Sequence, residues 1–221
     1  MSSSTTFSAS ARRVGIVAAI GTVVGIAVYA VMLLVGLASL ASPQRPIGDP
    51  IFSLLELAII VLMPLLVALM AAVHAWAPAG AKVYSLLAVV FMSLLAALTC
   101  SVHFVILVLS HRAEAAGWAD APLLLSFHWP SIPYALDILG WDVFFALSVL
   151  FAAPVFGGSA RARAIRTCLI VSGVLALAGL AGPVLGDMRW RMIGVVGYVG
   201  VFPVAAALMG VLFRAAPATA R

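Results

Sequence analysis

Hydrophobic residues run along this chain in six long blocks, at about 14–40, 51–76, 83–110, 131–155, 166–186 and 192–213, separated by short polar joints. Each reaches the roughly 20 residues that a helix rising about 1.5 Å per residue needs to cross a bilayer core. None alternates as a barrel strand does, and lipid offers unpaired backbone groups no partner, so each block is predicted to be a transmembrane helix. The third is longer than a bilayer requires and is expected to tilt or protrude. The predicted fold class is an all-α integral membrane protein, a single bundle of six transmembrane helices over 14–213. A polar N-terminal tail, 1–13, and a C-terminal tail, 214–221, flank it.

The polar joints carry an orientation signal. Alternating them between the two sides places Arg12, Arg13, Lys82, Arg161, Arg163, Arg166, Arg214 and Arg221 together, against Arg45, Arg112, Arg189 and Arg191 on the other side. Basic residues mark the cytoplasmic side, so both termini are expected there. The acids Asp49, Glu114, Asp120 and Asp187 all fall in the opposite set of joints, leaving those neutral. Trp118, Trp129 and Trp190 then lie near the outer boundary, and Trp76 and Tyr84 near the inner one, where amphipathic rings settle. The one long outer joint, 111–130, contains the apolar stretch APLLLSFHWP and is a candidate lid lying along the interface.

Composition removes other classes. Of 221 residues, 65% are hydrophobic and 9% charged, and the mean hydropathy is +1.24. A soluble domain is about half apolar and about a quarter charged. A net charge of +5 would suit nucleic acid only if it gathered on one soluble face, and it is dispersed over helix ends. No nucleic-acid partner is expected. Cys100 and Cys168 lie inside apolar blocks without a CxxC pattern, so they read as reduced packing residues. The first apolar block is far longer than a signal peptide's apolar region of about 7–15 residues and is read as a retained helix. The expected location is the plasma (inner) membrane of a bacterium, with the lipid bilayer as the obligatory partner.

Chemistry is concentrated in a few polar residues inside the blocks. Glu56, Asp137 and Asp142 are carboxyls in spans two and four, and His103 lies in span three. Each intramembrane acid costs about 2.5–3.5 kcal/mol on insertion scales, so each must face protein or a wet cavity. Counted from the outer ends, Glu56, His103 and Asp137 lie at one depth of roughly 10 Å, and Asp142 somewhat deeper. On an α-helix Asp142 would point about 140° away from Asp137, which requires the fourth helix to be central. Trp141, Thr99 and Ser53 are expected to line the resulting polar pocket, and Arg189, Arg191, His111 and His128 to form its rim. Solutions open to the cluster are carboxyls hydrogen-bonded to His103, a bound cation, or an arginine reaching in from Arg189 or Arg191.

Motifs that would name a reaction are absent. There is no HExxH or HxxxH for zinc, no Walker loop, no CxxC, and no serine–histidine arrangement in the late spans of the kind a rhomboid protease needs. No cofactor and no metal are expected. Gly21 and Gly25 form a GxxxG pair, and Gly194, Gly197 and Gly200 step along the last span as a packing face, for a neighbouring helix, a partner or a second copy. Pro64 and Pro203 sit mid-span, where they bend helices. The segment YALDILGWDVFFALSVLFAAPVF, with GDMRW beyond it, resembles uncharacterised multi-pass bacterial membrane proteins, a resemblance that implies a six-helix membrane fold and no particular activity.

Three functions fit these residues. The first is an outward-facing polar pocket that binds or transports a cation, proton or small amphiphile. The second is an intramembrane enzyme acting on a lipid or isoprenoid through a buried carboxylic acid, with Trp141 and Phe144 supplying π faces to a cation. The third is an accessory or structural subunit in which the polar residues only fix helix register.

Overall fold

The computed structural model describes residues 7–40 and 47–216, with the side chain of Glu114 excepted. Arg45, Arg221, the outer residues of both tails and the Glu114 side chain, all counted above as topology signals, lie outside the described residues. Every regular element described is helical. Six helices are long and apolar enough to cross a membrane: Ala9–Ala38, Ile51–Trp76, Ala79–Ala113, Ile132–Val155, Ala160–Leu185 and Met188–Ala215. The protein is therefore a multi-pass membrane protein.

The starts of two spans differ from expectation, for a shared reason. The first helix begins at Ala9, where the Ser8 hydroxyl caps it by accepting the Ala11 N–H at 3.2 Å. The fifth begins at Ala160, with Ser159 accepting the Ala162 N–H at 3.1 Å. Both caps satisfy helix-start N–H groups, and both open turns rich in arginine that hydrophobicity alone assigns to the joints. Phe7 adds an anchor just before the first helix, its ring 5.2 Å from Trp76 and 5.3 Å from Phe213. The second span opens on Asp49, whose carboxylate accepts the Ser53 N–H at 3.1 Å and the Ser53 hydroxyl at 2.6 Å.

The spans form a closed ring in which each packs on its sequence neighbours and the sixth returns to the first. Met63, Leu66, Met70, Met92, Phe145 and Phe202 fill its interior and are fully buried. The first span lies outermost, and Val17, Val24, Val31 and Leu34 stay exposed on it, as a lipid-facing side requires.

Two spans contain π turns. The fourth contains a π-helical segment, Leu139–Phe145, and the sixth another, Val196–Val201. Pro203 stands two residues after the second segment; it has no N–H to donate and crowds the preceding turn, and a wider turn accommodates it. Pro64, by contrast, lies inside a helix that continues unbroken from Ile51 to Trp76.

Gly194 and Gly197 are buried against the fifth span within the chain. A methyl group on Gly197 would stand 2.7 Å from the Ser172 carbonyl oxygen, whereas one on the exposed Gly200 would meet only Val196 at 3.8 Å. The glycine face is thus an internal seam. Gly197→Ala should lower resistance to unfolding in mixed detergent micelles by about 1–3 kcal/mol, the usual range for overpacking, while Gly200→Ala should leave it unchanged.

The Asp49 carboxyl is held below the usual carboxylate range, first by the Ser53 hydroxyl and then by the Ser53 N–H, with His111 adding to it. A depressed folded-state pKa contributes stability above the ordinary value and loses it as pH falls through the lowered one. Protection of the Ser53 amide, its exchange rate relative to the intrinsic rate at each pH, should therefore hold at neutral pH and fall only below about pH 4. Asp49→Ala should remove it throughout.

Candidate functional site

Five ionisable side chains from four spans meet near one end of the ring. The His103 Nδ1 lies 2.8 Å from Glu56 Oε2, and its Nε2 lies 4.0 Å from Asp137 Oδ1. Asp137 Oδ2 accepts from Arg191 Nη2 at 2.7 Å, and Arg191 Nε donates to Asp142 Oδ2 at 3.1 Å. The chain Glu56–His103–Asp137–Arg191–Asp142 thus runs from the second span through the third and fourth to the sixth. Its members are nearly dry: Glu56 is 4% exposed, His103 5%, Arg191 7% and Asp142 0%. Asp137 is the most accessible, with its side chain 15% exposed.

The π segment is what brings both aspartates to one arginine. On a regular α-helix residues five apart diverge by about 140°, whereas a π turn closes its hydrogen bond between residues five apart and lays them over one another. Asp137 stands just before Leu139–Phe145 and Asp142 within it. The π turns between them narrow that divergence, and both carboxylates reach the same guanidinium.

Arg191 is selected over Arg189 by another local geometry. The sixth span opens with a 3-10 turn, Met188–Arg191, started by Asp187 accepting the Arg189 N–H at 3.0 Å. At three residues per turn, two steps rotate a side chain by about 240°, so Arg189 and Arg191 point to different sides. Arg189 stays outside, its side chain 91% exposed and paired with Asp187 at 2.7 Å. Arg191 points inward and is a member of the cluster, where the sequence placed it at the rim.

Glycines make the close approach feasible. A methyl group on Gly182 would stand 3.1 Å from the Arg191 backbone nitrogen, and one on Gly179 would stand 2.8 Å from Asp142 Oδ1. On Gly194 it would stand 2.5 Å from the same oxygen. The fifth and sixth spans therefore touch through their backbones, and the Asp142 carboxyl fills the notch between them. Asp142 Oδ1 has no hydrogen-bond partner among the described residues.

Aromatic rings enclose the cluster. The guanidinium carbon of Arg191 lies 4.7 Å from the Tyr134 ring centroid, a cation–π distance. Phe127, from the joint between the third and fourth spans, covers His103 at 4.7 Å between centroids. Trp141 packs on Tyr198 at 5.0 Å, and Tyr29 of the first span lies within electrostatic range of Asp137 and Glu56. Sequence reasoning missed Tyr134, Tyr198, Phe127 and Gly179. Tyr134 stands three residues before Asp137 and Tyr198 seven after Arg191, spacings that share a helical face, but only with the partners known do they mark a site.

Other residues assigned to the pocket have different company. Ser53 is engaged by Asp49 at the helix start. His111 Nε2 lies 2.7 Å from Asp49 Oδ2, tying the third helix to the joint that precedes the second. His128 is exposed, and its backbone N–H donates to the Ser126 hydroxyl at 3.4 Å. Thr99 is buried opposite Gly140, and its hydroxyl has no hydrogen-bond partner among the described residues.

Toward the other end of the ring the polar path stops. The Ser148 hydroxyl donates to the Ala88 carbonyl at 2.7 Å and Ser172 to the Gly197 carbonyl at 2.9 Å. Around them lies the apolar core of methionine, leucine and phenylalanine, which separates the cluster from the buried Ser85 hydroxyl, 2.8 Å from His74 Nδ1 near the opposite end.

No protein-family model, curated protein or solved structure matches the chain.

Removing Arg191 leaves two carboxylates facing each other without a counter-charge. Arg191→Met should destabilise the protein by about 3–5 kcal/mol, the range for breaking a buried ion pair from one side, read as loss of resistance to detergent unfolding. The exposed Arg189→Met should show no change in the same assay.

Proposed function

We propose that this chain is a proton-coupled membrane protein of a bacterial plasma (inner) membrane, with both termini cytoplasmic and the ionisable cluster open toward the outer side. The observation that carries this reading is the charge count of one continuous, buried chain. Glu56, Asp137 and Asp142 face one guanidinium and one imidazole, so with every group ionised the cluster keeps one negative charge too many. An uncompensated charge in a dry, membrane-spanning bundle is expensive. One proton removes it.

Among the ligands that suit such a cluster, the packing favours the proton over a cation or amphiphile. The guanidinium of Arg191 already fills the space between the acids, and two surface clefts lie elsewhere. One runs between the first and last spans past Ile16, Val23 and Gly210, the other beside Arg13 and Leu65. Neither is lined by a cluster residue. Proton exchange through Asp137 on one side, and an apolar block on the other, is the arrangement of a protein that loads from one side at a time. Basic residues at the opposite helix ends support the assignment of that side as outer.

The enzyme reading draws no support from the rings it would use, since Trp141 faces Tyr198 and Phe144 faces Phe91 at 6.4 Å. The structural reading differs from ours in one measurable respect. Proteoliposomes adsorbed on a solid support should give a transient current on an acid jump, reduced to the protein-free level in Glu56→Gln and Asp137→Asn. If wild-type protein, folded by its detergent-unfolding profile, gives no current above protein-free liposomes, the cluster is only a register-fixing network.

A further inference from the structure

The three acids of the cluster are not equally supported, and the difference points to where the proton resides. Glu56 has the His103 ring nitrogen at 2.8 Å. Asp137 has two basic neighbours, Arg191 at 2.7 Å and His103 at 4.0 Å, and keeps some exposure. Asp142 has one contact, the Arg191 Nε at 3.1 Å, and is wholly buried. Its second oxygen, Oδ1, has no hydrogen-bond partner among the described residues and is aimed into the notch formed by Gly179 and Gly194.

We infer that Asp142 is the proton-binding residue of the cluster, carrying its proton on Oδ1 in the Gly179–Gly194 notch while Oδ2 accepts from Arg191. This deepens the proton-coupled reading and rests on it. A lone carboxylate oxygen pressed against two glycine Cα atoms is the least solvated negative charge in the bundle. A neutral acid there loses at most one neutral hydrogen bond, a smaller penalty than an unpaired charge.

The groups facing Asp142 agree. Its own span presents Asp137, and the sixth span presents Arg191 and Tyr198, with Tyr134 reaching it only through Arg191. The fifth span presents Gly179 and no titratable group, and the third presents Thr99 beside Gly140, with His103 reaching it only through Asp137. With Asp142 protonated, two acids, Glu56 and Asp137, remain against the two basic groups Arg191 and His103. When the proton leaves through Asp137 to the outer side, Arg191 is left between two anions, a change at the contact between the fourth and sixth spans. The π segments Leu139–Phe145 and Val196–Val201 lie at that contact, and such segments recur at functional sites.

The test is infrared spectroscopy of the full-length protein in lipid, following the carbonyl stretch of a protonated carboxylic acid across a pH titration. Wild type should show the band at neutral pH and lose it on alkaline titration. Asp142→Asn should abolish it, and Asp120→Asn, at an exposed acid outside the cluster, should retain it. Should Asp142→Asn fold poorly, Gly194→Ala keeps the acid while a methyl group presses on Oδ1, and should shift the frequency of the band. A band that persists in Asp142→Asn, or that is unmoved in Gly194→Ala, overturns the assignment to Asp142 while leaving the proton-coupled reading intact. Absence of the band from wild type throughout the titration, together with absence of the acid-jump current, overturns both.

Discussion

A guanidinium drawn into a membrane-spanning bundle has to be matched where it stands, because dehydrating it carries a penalty of several kcal/mol that distant charges do not offset. Arg191 imposes that demand on everything around it. Two carboxylates meet it from one helix, which an α-helical spacing of five residues would forbid and the π segment Leu139–Phe145 permits. The fifth span must come close enough to exclude lipid from the pair, which Gly179 and Gly182 allow. Tyr134 covers the flat face of the guanidinium, the remaining surface that lipid would otherwise touch.

The same demand gives the molecule its polarity. One end of the ring holds a hydrogen-bonded series of ionisable groups under the Phe127 ring, and fully buried methionine, leucine and phenylalanine side chains separate it from the His74–Ser85 contact toward the other. Packing of this kind resists compression and shifts by discrete steps. A change of charge at Asp142 therefore acts on the seam of the fourth, fifth and sixth spans, where backbones touch through glycine and two helices already depart from α geometry. The first span, packed through one face and bathed in lipid on the other, stands apart from that seam, with Tyr29 within electrostatic range of the cluster.

Much of this molecule is legible as a one-dimensional pattern. The six spans follow from the length of apolar runs, because lipid forces every crossing segment to satisfy its own backbone. The common depth of Glu56, His103 and Asp137 follows from counting residues from the outer ends, because rise per residue is nearly constant. The helix starts at Ala9 and Ala160 were present as Ser8 and Ser159, signals of capping that hydropathy overlooks.

What the chain determined alone was which segments cross and which ionisable groups share a level. Which groups pair was decided only in three dimensions. Arg191 rather than Arg189 enters the bundle, Asp142 turns to Asp137's side, Ser53 belongs to Asp49, and Gly194 and Gly197 seal the chain against itself. Each depends on the rotation of one helix about its axis, and a single π or 3-10 turn resets that phase for every residue after it. Rotation is set by the neighbours a helix finally packs against, so no count along the chain supplies it.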